Sequence, residues 1–157
     1  MHALNHTLEQ KVIDADGRYL DAQSLKQLEH YFQSYQLRLD TYQQLRDHSK
    51  DLVTQSLKHL GQAYPELIQK HGSRCQYDMT EVLRYIAISI LRDDEVFFKE
   101  QMMSWLDTIL MAYKKHGHCA TAYKHLQDAI NAKLAPAASS MIRPYLDDVI
   151  LVLQSHA

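Results

Sequence analysis

The most informative segment of this chain is Cys75-Gln-Tyr-Asp78-Met-Thr-Glu-Val-Leu83-Arg84-Tyr85. It contains neither glycine nor proline, and it is predicted to be helical. Three helical positions correspond to about 300° of rotation, so Cys75 and Asp78 share a face and are expected to be able to contact one ligand. Arg84 falls on the opposite face. The pattern predicts a helix that holds a ligand on one side and contacts a partner chain on the other.

Composition bounds the class of protein. With 157 residues the chain is expected to form a single domain with a substantial core. Its 17 Lys and Arg against 19 Asp and Glu give a net charge of −2, and the basic residues are dispersed, so nucleic acid is not an expected partner. No apolar run approaches the ~18 residues of a membrane span, and the N-terminus does not resemble a signal peptide. A cytoplasmic protein with no membrane partner is expected, and Cys75 and Cys119 are expected to be thiols rather than a disulfide.

The fold class is predicted from the scarcity of helix breakers. Only 4 Gly and 3 Pro occur, and no stretch alternates apolar and polar residues as a strand does, so the chain is predicted to be all-α, with seven to nine helices. A first helix is expected over residues 4–13, ended by Gly17. Asp21 or Ser24 is expected to cap the second helix. The apolar stripe of the second helix continues beyond a break near residues 33–37 into a third helix.

The second half of the chain carries further helix signals. Pro65 is expected to begin a short helix through Gln69, and His71-Gly72-Ser73 is expected to be a hinge, with Ser73 capping the helix that carries Cys75. The next two helices are predicted over residues 73–91 and from 92–94 to about 113, and Gly117 is expected to end the second of them. A further helix is predicted over residues 121–134. The last helix is predicted to be framed by Pro136 and Pro144 and to reach residue 153.

Three separated blocks carry a resemblance to a known family. These are Val12–Asp21 with the Leu25, Leu28 and Tyr31–Ser34 positions that follow, the central Cys75–Tyr85 helix, and Tyr145–Ile150 near the end. Together they resemble the phycobiliproteins, and among these the allophycocyanin β-type subunits. The resemblance implies a globin-like helical fold with two extra N-terminal helices for subunit pairing, about residues 1–33, followed by globin-like helices over about 34–157.

The resemblance also implies a ligand and a partner. The ligand is a bilin, a linear tetrapyrrole, joined by a thioether to Cys75, with Asp78 accepting hydrogen bonds from its inner pyrrole nitrogens. The partner is a second copy or a related subunit, so a homodimer or heterodimer is expected. Further cofactor-binding positions implied or suggested are Arg74, Tyr77, Val82, Trp105 and Tyr113, and the implied interface positions are Asp16, Tyr19, Leu20 and Arg84.

The chain departs from the family pattern beside the cysteine. Tyr77 stands where the family usually has an arginine that pairs with a bilin propionate. Arg74, Lys70 and His71 are the nearby cations that are candidates to replace it, and the sequence leaves the choice among them open. The loop before Cys75 is shorter than in the light-harvesting subunits of the family, which predicts that Cys75 lies at the start of its helix. With these departures the chain resembles the bilin-biosynthesis-associated globins. The resemblance implies that the protein receives, carries or shields a bilin, with bilin-biosynthesis enzymes as partners.

Other functions remain open at this point. A globin-like fold also suits haem, with His116 or His118 as the proximal ligand and His71 as the distal one. A third alternative is a ligand-free interaction module. The group formed by His116, His118, Cys119 and His125 matches no zinc-finger spacing, so no metal is expected there. Nucleophile elbows, phosphate loops and His-Glu-x-x-His motifs do not occur, and a non-enzymatic protein is expected.

Overall fold

Helices joined by short connections make up the part of the chain that the structure, a computed structural model, describes: residues 5–113 and 116–155. No strand occurs within these residues, which confirms the all-α prediction. In chain order the helices are α1 His6–Ala15, α2 Ala22–Gln33, α3 Tyr35–Ala63, α4 Pro65–Arg92, α5 Glu95–Phe98, a π-helical turn over Lys99–Met103, α6 Ser104–Tyr113, α7 His116–Lys133 and α8 Pro136–Ser155.

Local polar contacts fix several of the helix ends. The Asp21 side chain accepts a hydrogen bond from the Ser24 backbone N–H at 2.7 Å and so caps α2, as expected from the sequence. Asp94 caps α5 in the same way through the Phe97 N–H at 3.0 Å. At the end of α1, Asp16 and Gly17 have φ of 37° and 74°, and the left-handed turn reverses the chain towards α2.

The predicted hinge at His71-Gly72-Ser73 is wrong, because α4 runs without interruption through this segment. A Cβ atom at Gly72 would come within 3.2 Å of the Ile68 side chain, so the glycine makes room for packing rather than for a bend. Ser73 lies inside the helix and caps nothing. Cys75 therefore lies well within α4 and not at its start. Asp78 lies far from the N-terminus of α4, which is the positive end of the helix dipole.

Two other predicted breaks are also absent. Gly117 does not end a helix but lies in the first turn of α7, which begins at His116 rather than at residue 121. Pro144 lies inside α8, since that helix continues from Pro136 to Ser155. The segment before α6 contains a π-helical turn that the sequence did not indicate, and this turn widens the helix immediately before Trp105.

The long helices pack around one hydrophobic core. Most of its fully buried side chains come from α3, α4, α7 and α8, and these include Leu52, Val82, Ile86, Leu126 and Ile142. Helices α1 and α2 lie outside this core and bury the apolar side chains of Leu8 and Tyr31. None of the helical segments in the described ranges combines the length and hydropathy required of a membrane span.

A buried arginine attaches the N-terminal helices to this body. Arg38, near the start of α3, is 1% exposed. Its guanidinium donates hydrogen bonds to the backbone carbonyls of Tyr31 in α2 and Leu91 in α4, and Nε donates to Ser34 Oγ at 3.1 Å. The same guanidinium lies 4.3 Å from the centre of the Tyr31 ring. Arg38 thus joins three helix ends around one cation.

Candidate functional site

A cavity of about 110 Å³ lies beside α4, walled by α3, α4, α6, α7 and α8. Most of its wall is apolar, and several polar side chains face the space. The apolar lining consists of Leu60, Leu67, Met79, Trp105, Leu106, Ala122 and Leu153, and the polar lining of His71, Arg74, Cys75, Asp78, His118, Cys119 and Tyr123.

Helix α4 supplies the polar wall through its periodicity. Leu67, His71, Arg74, Cys75 and Asp78 recur at steps of three and four residues or side by side, and they form one stripe of the helix that faces the cavity. Because α4 is continuous, a single helical repeat sets the positions of the side chains before and after Cys75. The structure therefore brings together the Cys75 thiol and the Asp78 carboxyl group at the same cavity.

Asp78 is held by an ion pair that uses only part of its carboxylate. Arg74 Nε donates a hydrogen bond to Oδ2 at 3.2 Å and lies 3.1 Å from Oδ1. The Oδ1 atom is buried, yet it accepts no hydrogen bond from any residue that the structure describes. Burial raises the pKa of Asp78 above 3.8, although the charge and hydrogen bond of Arg74 act in the opposite direction. The carboxylate thus has an acceptor position to offer a ligand.

Two thiols line the cavity from different helices. Cys75 of α4 and Cys119 of α7 are both half-buried, and neither is in a disulfide, as expected. Burial raises the pKa of the Cys119 thiol to about 11, with smaller contributions from Cys75 and Asp78. At neutral pH Cys119 is therefore almost fully protonated and a poor nucleophile.

Sequence reasoning proposed His118 of α7 as a ligand position but did not assign Ala122 or Tyr123 to the site. Tyr123 is buried at the cavity, and its burial raises the pKa of its phenol well above 10. Cys119, Ala122 and Tyr123 follow the three- and four-residue spacing of a helix face, so periodicity was a usable signal. That signal does not show which helix the face will meet, and only the packing of α7 on α4 reveals it.

Aromatic rings from two elements meet at one end of the site. The His118 ring centre lies 4.2 Å from that of Tyr64, which stands between α3 and α4. Tyr77, by contrast, is 57% exposed and does not line the cavity. The Arg74 guanidinium lies 5.8 Å from the centre of the Tyr77 ring. The Arg74 guanidinium is thus positioned between a partly buried carboxylate and a solvent-facing ring.

Several predicted site residues lie elsewhere. Val82 is completely buried in the core and does not line the cavity, because its position on α4 faces the other long helices. Lys70 is exposed and also lies outside the cavity wall. Trp105 lines the cavity as expected. The side chains of Tyr113 and His116 lie outside the described part of the structure.

The histidines whose side chains the structure describes do not gather into one cluster. His71 and His118 face the cavity, whereas the His125 ring packs against His59 of α3 with centres 5.6 Å apart. Among the described residues, no group of three or more His, Cys, Asp or Glu side chains is arranged to hold a metal ion.

The predicted interface residues lie at the surface. Asp16 and Tyr19 are exposed, and Leu20 is partly exposed beside them. Arg84 is also exposed, and it is ion-paired with Glu81 one turn earlier in α4. That ion pair raises the pKa of Arg84 further. All four residues are thus accessible to solvent at least in part, and Arg84 is already paired with a carboxylate.

Comparison with known proteins agrees with this architecture. A family model described as phycobilisome protein matches residues 11–153. The chain is 29% identical to an allophycocyanin subunit beta-18 of Synechocystis sp., over 61% of this chain and 62% of that protein. It is 26% identical to the allophycocyanin subunit beta-18 of Picosynechococcus sp., over 86% and 85% of the two chains, and 26% identical to a C-phycocyanin beta chain of Aglaothamnion neglectum, over 74% and 73%.

These findings define the class of protein first as an all-α, globin-like fold of the phycobiliprotein type. The match over residues 11–153 then shows that the chain belongs to the phycobilisome protein family. The chain spans less than two thirds of the first of the named relatives. The family is one of pigment proteins rather than enzymes, and it is associated with bilin chromophores and with assembly from related subunits.

Proposed function

We propose that this protein binds a linear tetrapyrrole in the cavity beside α4 and receives, carries or shields it without catalysing a reaction. The observation that carries the proposal is the Asp78 carboxylate, whose buried Oδ1 has no described hydrogen-bond donor and which shares a cavity with a thiol. A buried acceptor without a donor is costly, and pyrrole N–H groups are donors of the right kind. Membership of the phycobilisome protein family supports the same ligand class.

Cys75 is the proposed attachment point. Its sulfur adds to an exocyclic double bond of the pigment, a carbon–sulfur bond forms, and the thiol proton is transferred to the neighbouring carbon, so no oxidant is required. Cys119 lines the same cavity, but its pKa of about 11 leaves little thiolate at neutral pH. Because the two thiols line the same cavity from different helices, they are a matched pair of test positions.

The size of the cavity supports carriage rather than permanent enclosure. At about 110 Å³ it is smaller than the roughly 300 Å³ at which pockets bury a drug-sized ligand. A pigment gripped by Cys75 and Asp78 must therefore extend out of the cavity or displace the paired rings of Tyr64 and His118. We expect such a ligand to be partly solvent-exposed, which suits a protein that passes a bilin to or from the enzymes that make it.

Production of the protein together with a bilin, followed by acid denaturation, tests the proposal. The parent protein and Cys119→Ala are expected to keep visible absorbance on the denatured polypeptide. Cys75→Ala is expected to lose this covalent signal but to bind pigment reversibly before denaturation. Absence of any added visible absorbance in the native parent protein would contradict the proposal.

Haem is the alternative ligand, because His71 and His118 both face the cavity. A sharp near-ultraviolet band that shifts on addition of carbon monoxide and disappears in His118→Ala or His71→Ala would support it. If neither pigment adds absorbance, the third reading applies, in which the fold serves as an interaction module with an unliganded cavity.

We also propose that the protein pairs through its N-terminal helices, with itself or with a related subunit. Apolar side chains are exposed there in number, including Val12 at 49%, Ile13 at 60%, Tyr19 at 101% and Phe32 at 63%. Asp16 of one protomer and Arg84 of the other form the proposed reciprocal ion pair. Sedimentation equilibrium is expected to show a dimer that Tyr19→Asp dissociates, whereas an unchanged molecular mass in that variant would exclude this surface.

A further inference from the structure

We propose that His59 of α3 and His125 of α7 form a two-histidine site for a divalent transition-metal ion such as Zn²⁺. Neither residue lines the cavity beside α4, so the site is separate from the proposed pigment site and does not depend on it. Sequence spacing grouped His125 with its neighbours on α7, whereas the structure pairs it with a histidine of another helix.

The separation of the two rings is the first support. Their centres lie 5.6 Å apart. Zinc binds an imidazole nitrogen at about 2.0–2.1 Å, so two imidazoles on one ion at a near-tetrahedral angle have ring centres about 5–5.5 Å apart. The ring planes differ by 73°. Rotation about χ2, which is broad for histidine, turns one nitrogen of each ring toward a shared point without a movement of either helix.

The second support is that α3 and α7 are held together one turn before the histidines. The Ser56 hydroxyl of α3 donates a hydrogen bond to the Ala122 carbonyl of α7 at 2.6 Å, and both residues are buried. Each of them precedes one of the paired histidines by three positions, which places it on the same side of its helix. The helix separation at the ring pair is thus set before a metal ion binds, and binding has to order only the two side chains.

The third support is access to solvent. His59 is exposed and His125 is partly buried. An ion between them reaches the site from water and keeps water molecules in the coordination positions that the protein does not fill. Imidazole suits Zn²⁺, Cu²⁺ and Ni²⁺, whereas Mg²⁺ and Ca²⁺ prefer oxygen ligands, so the site is expected to select transition metals. Because the rings meet only in the folded protein, the bound ion stabilises the fold by joining α3 to α7.

Isothermal titration calorimetry with Zn²⁺ at pH 7.5 tests the proposal in the full-length, pigment-free protein. Cys75→Ala/Cys119→Ala is the background, because both thiols line the cavity and cysteine sulfur is itself a zinc ligand. The test variants are His59→Gln, His125→Gln and the two substitutions together. His30→Gln is the control, because His30 is exposed on α2, outside the pair that joins α3 and α7.

We expect one Zn²⁺ to bind per chain in the background protein and in His30→Gln, and we expect no binding of Mg²⁺. Each single test variant is expected to weaken Zn²⁺ binding at least about tenfold, because even changes behind a metal ligand cost about 10–100-fold in affinity. The double variant is expected to bind little more weakly than either single variant, since both histidines hold the same ion.

Urea denaturation gives a second readout. In the background protein, Zn²⁺ at about 100 times its dissociation constant is expected to raise the folding equilibrium constant about 100-fold, and His59→Gln/His125→Gln is expected to lose this gain. Urea denaturation in EDTA checks that each variant folds without the metal. Absence of Zn²⁺ binding in the background protein, or binding that persists unchanged in the double variant, would overturn the proposal. Weakened binding in one single variant but not in the other would also overturn it, because the two histidines would then not share the ion.

Discussion

Replacement of Asp78 by asparagine tests the centre of the proposed site most directly. Asparagine has nearly the same shape and keeps one oxygen acceptor, so the cavity wall stays the same while the negative charge disappears. Asp47→Asn is the matched control, because Asp47 also pairs with an arginine but is exposed and lies away from the cavity.

The size of the expected effect follows from the contacts of the carboxylate. A hydrogen bond to a charged group contributes about 1.5–3 kcal/mol, and a neutral acceptor about half of that. If two pyrrole N–H groups bind Asp78, the variant loses roughly 2 kcal/mol of binding free energy, which corresponds to about a 30-fold rise in the dissociation constant. Visible-absorbance titration with biliverdin in the Cys75→Ala background measures this dissociation constant.

The same variant has a predicted effect on stability. Since burial raises the pKa of Asp78 in the folded protein, the folded state binds its proton more tightly than the unfolded chain does. Ionised Asp78 therefore costs stability above the raised pKa, and this cost is relieved as the pH falls through that pKa towards 3.8. Asp78→Asn is expected to be as stable as the parent at pH 7 or slightly more so, by less than about 1 kcal/mol because the ion pair is partly exposed.

Urea denaturation at pH 7 and at pH 4 measures this difference. Loss of more than about 2 kcal/mol at pH 7 would show that the Arg74–Asp78 pair supports the fold, as large effects of point substitutions generally indicate a structural role. Biliverdin affinity equal to that of the Asp47→Asn control would refute the assignment of Asp78 to the pigment.

Two further predictions concern buried groups. Raising the pKa of a thiol from 9.0 to about 11 lowers its thiolate fraction about 100-fold, so Cys119 in Cys75→Ala is expected to react with iodoacetamide at pH 7 at least that much more slowly in the folded protein than in urea. Arg38→Ala is expected to destabilise the fold by about 3 kcal/mol in urea denaturation, since three hydrogen bonds are lost and two of them are made to backbone carbonyls. Arg46→Ala, which removes an exposed ion pair, is expected to leave the midpoint of urea denaturation nearly unchanged.

Each of these predictions has a clear contrary result. Alkylation of Cys119 at similar rates in the folded and unfolded protein would mean that its thiol is not protected at the cavity wall. Equal stability of Arg38→Ala and Arg46→Ala would mean that the contacts of Arg38 with α2 and α4 do not hold these helices together.

The helical class and parts of the site were predictable because they depend on local rules. The Asp21 cap follows from residue type and position, and the shared face of Cys75 and Asp78 follows from the helical repeat. The hinge at Gly72 failed for a physical reason. A glycine beside a serine usually indicates a break, yet here the missing side chain accommodates Ile68 across one turn of the same helix.

By itself, the sequence determined that the chain is helical, that one helix carries a thiol and a carboxylate on one face, and that it resembles the phycobiliproteins. Tertiary structure alone decided that Cys119 and Tyr123 close the cavity opposite them, that Val82 faces the core, and that Arg38 joins α2, α3 and α4. The reason is that periodicity fixes which side chains share a face of one helix, whereas the partner of that face depends on how distant helices pack, and this is set by the shape of the whole core.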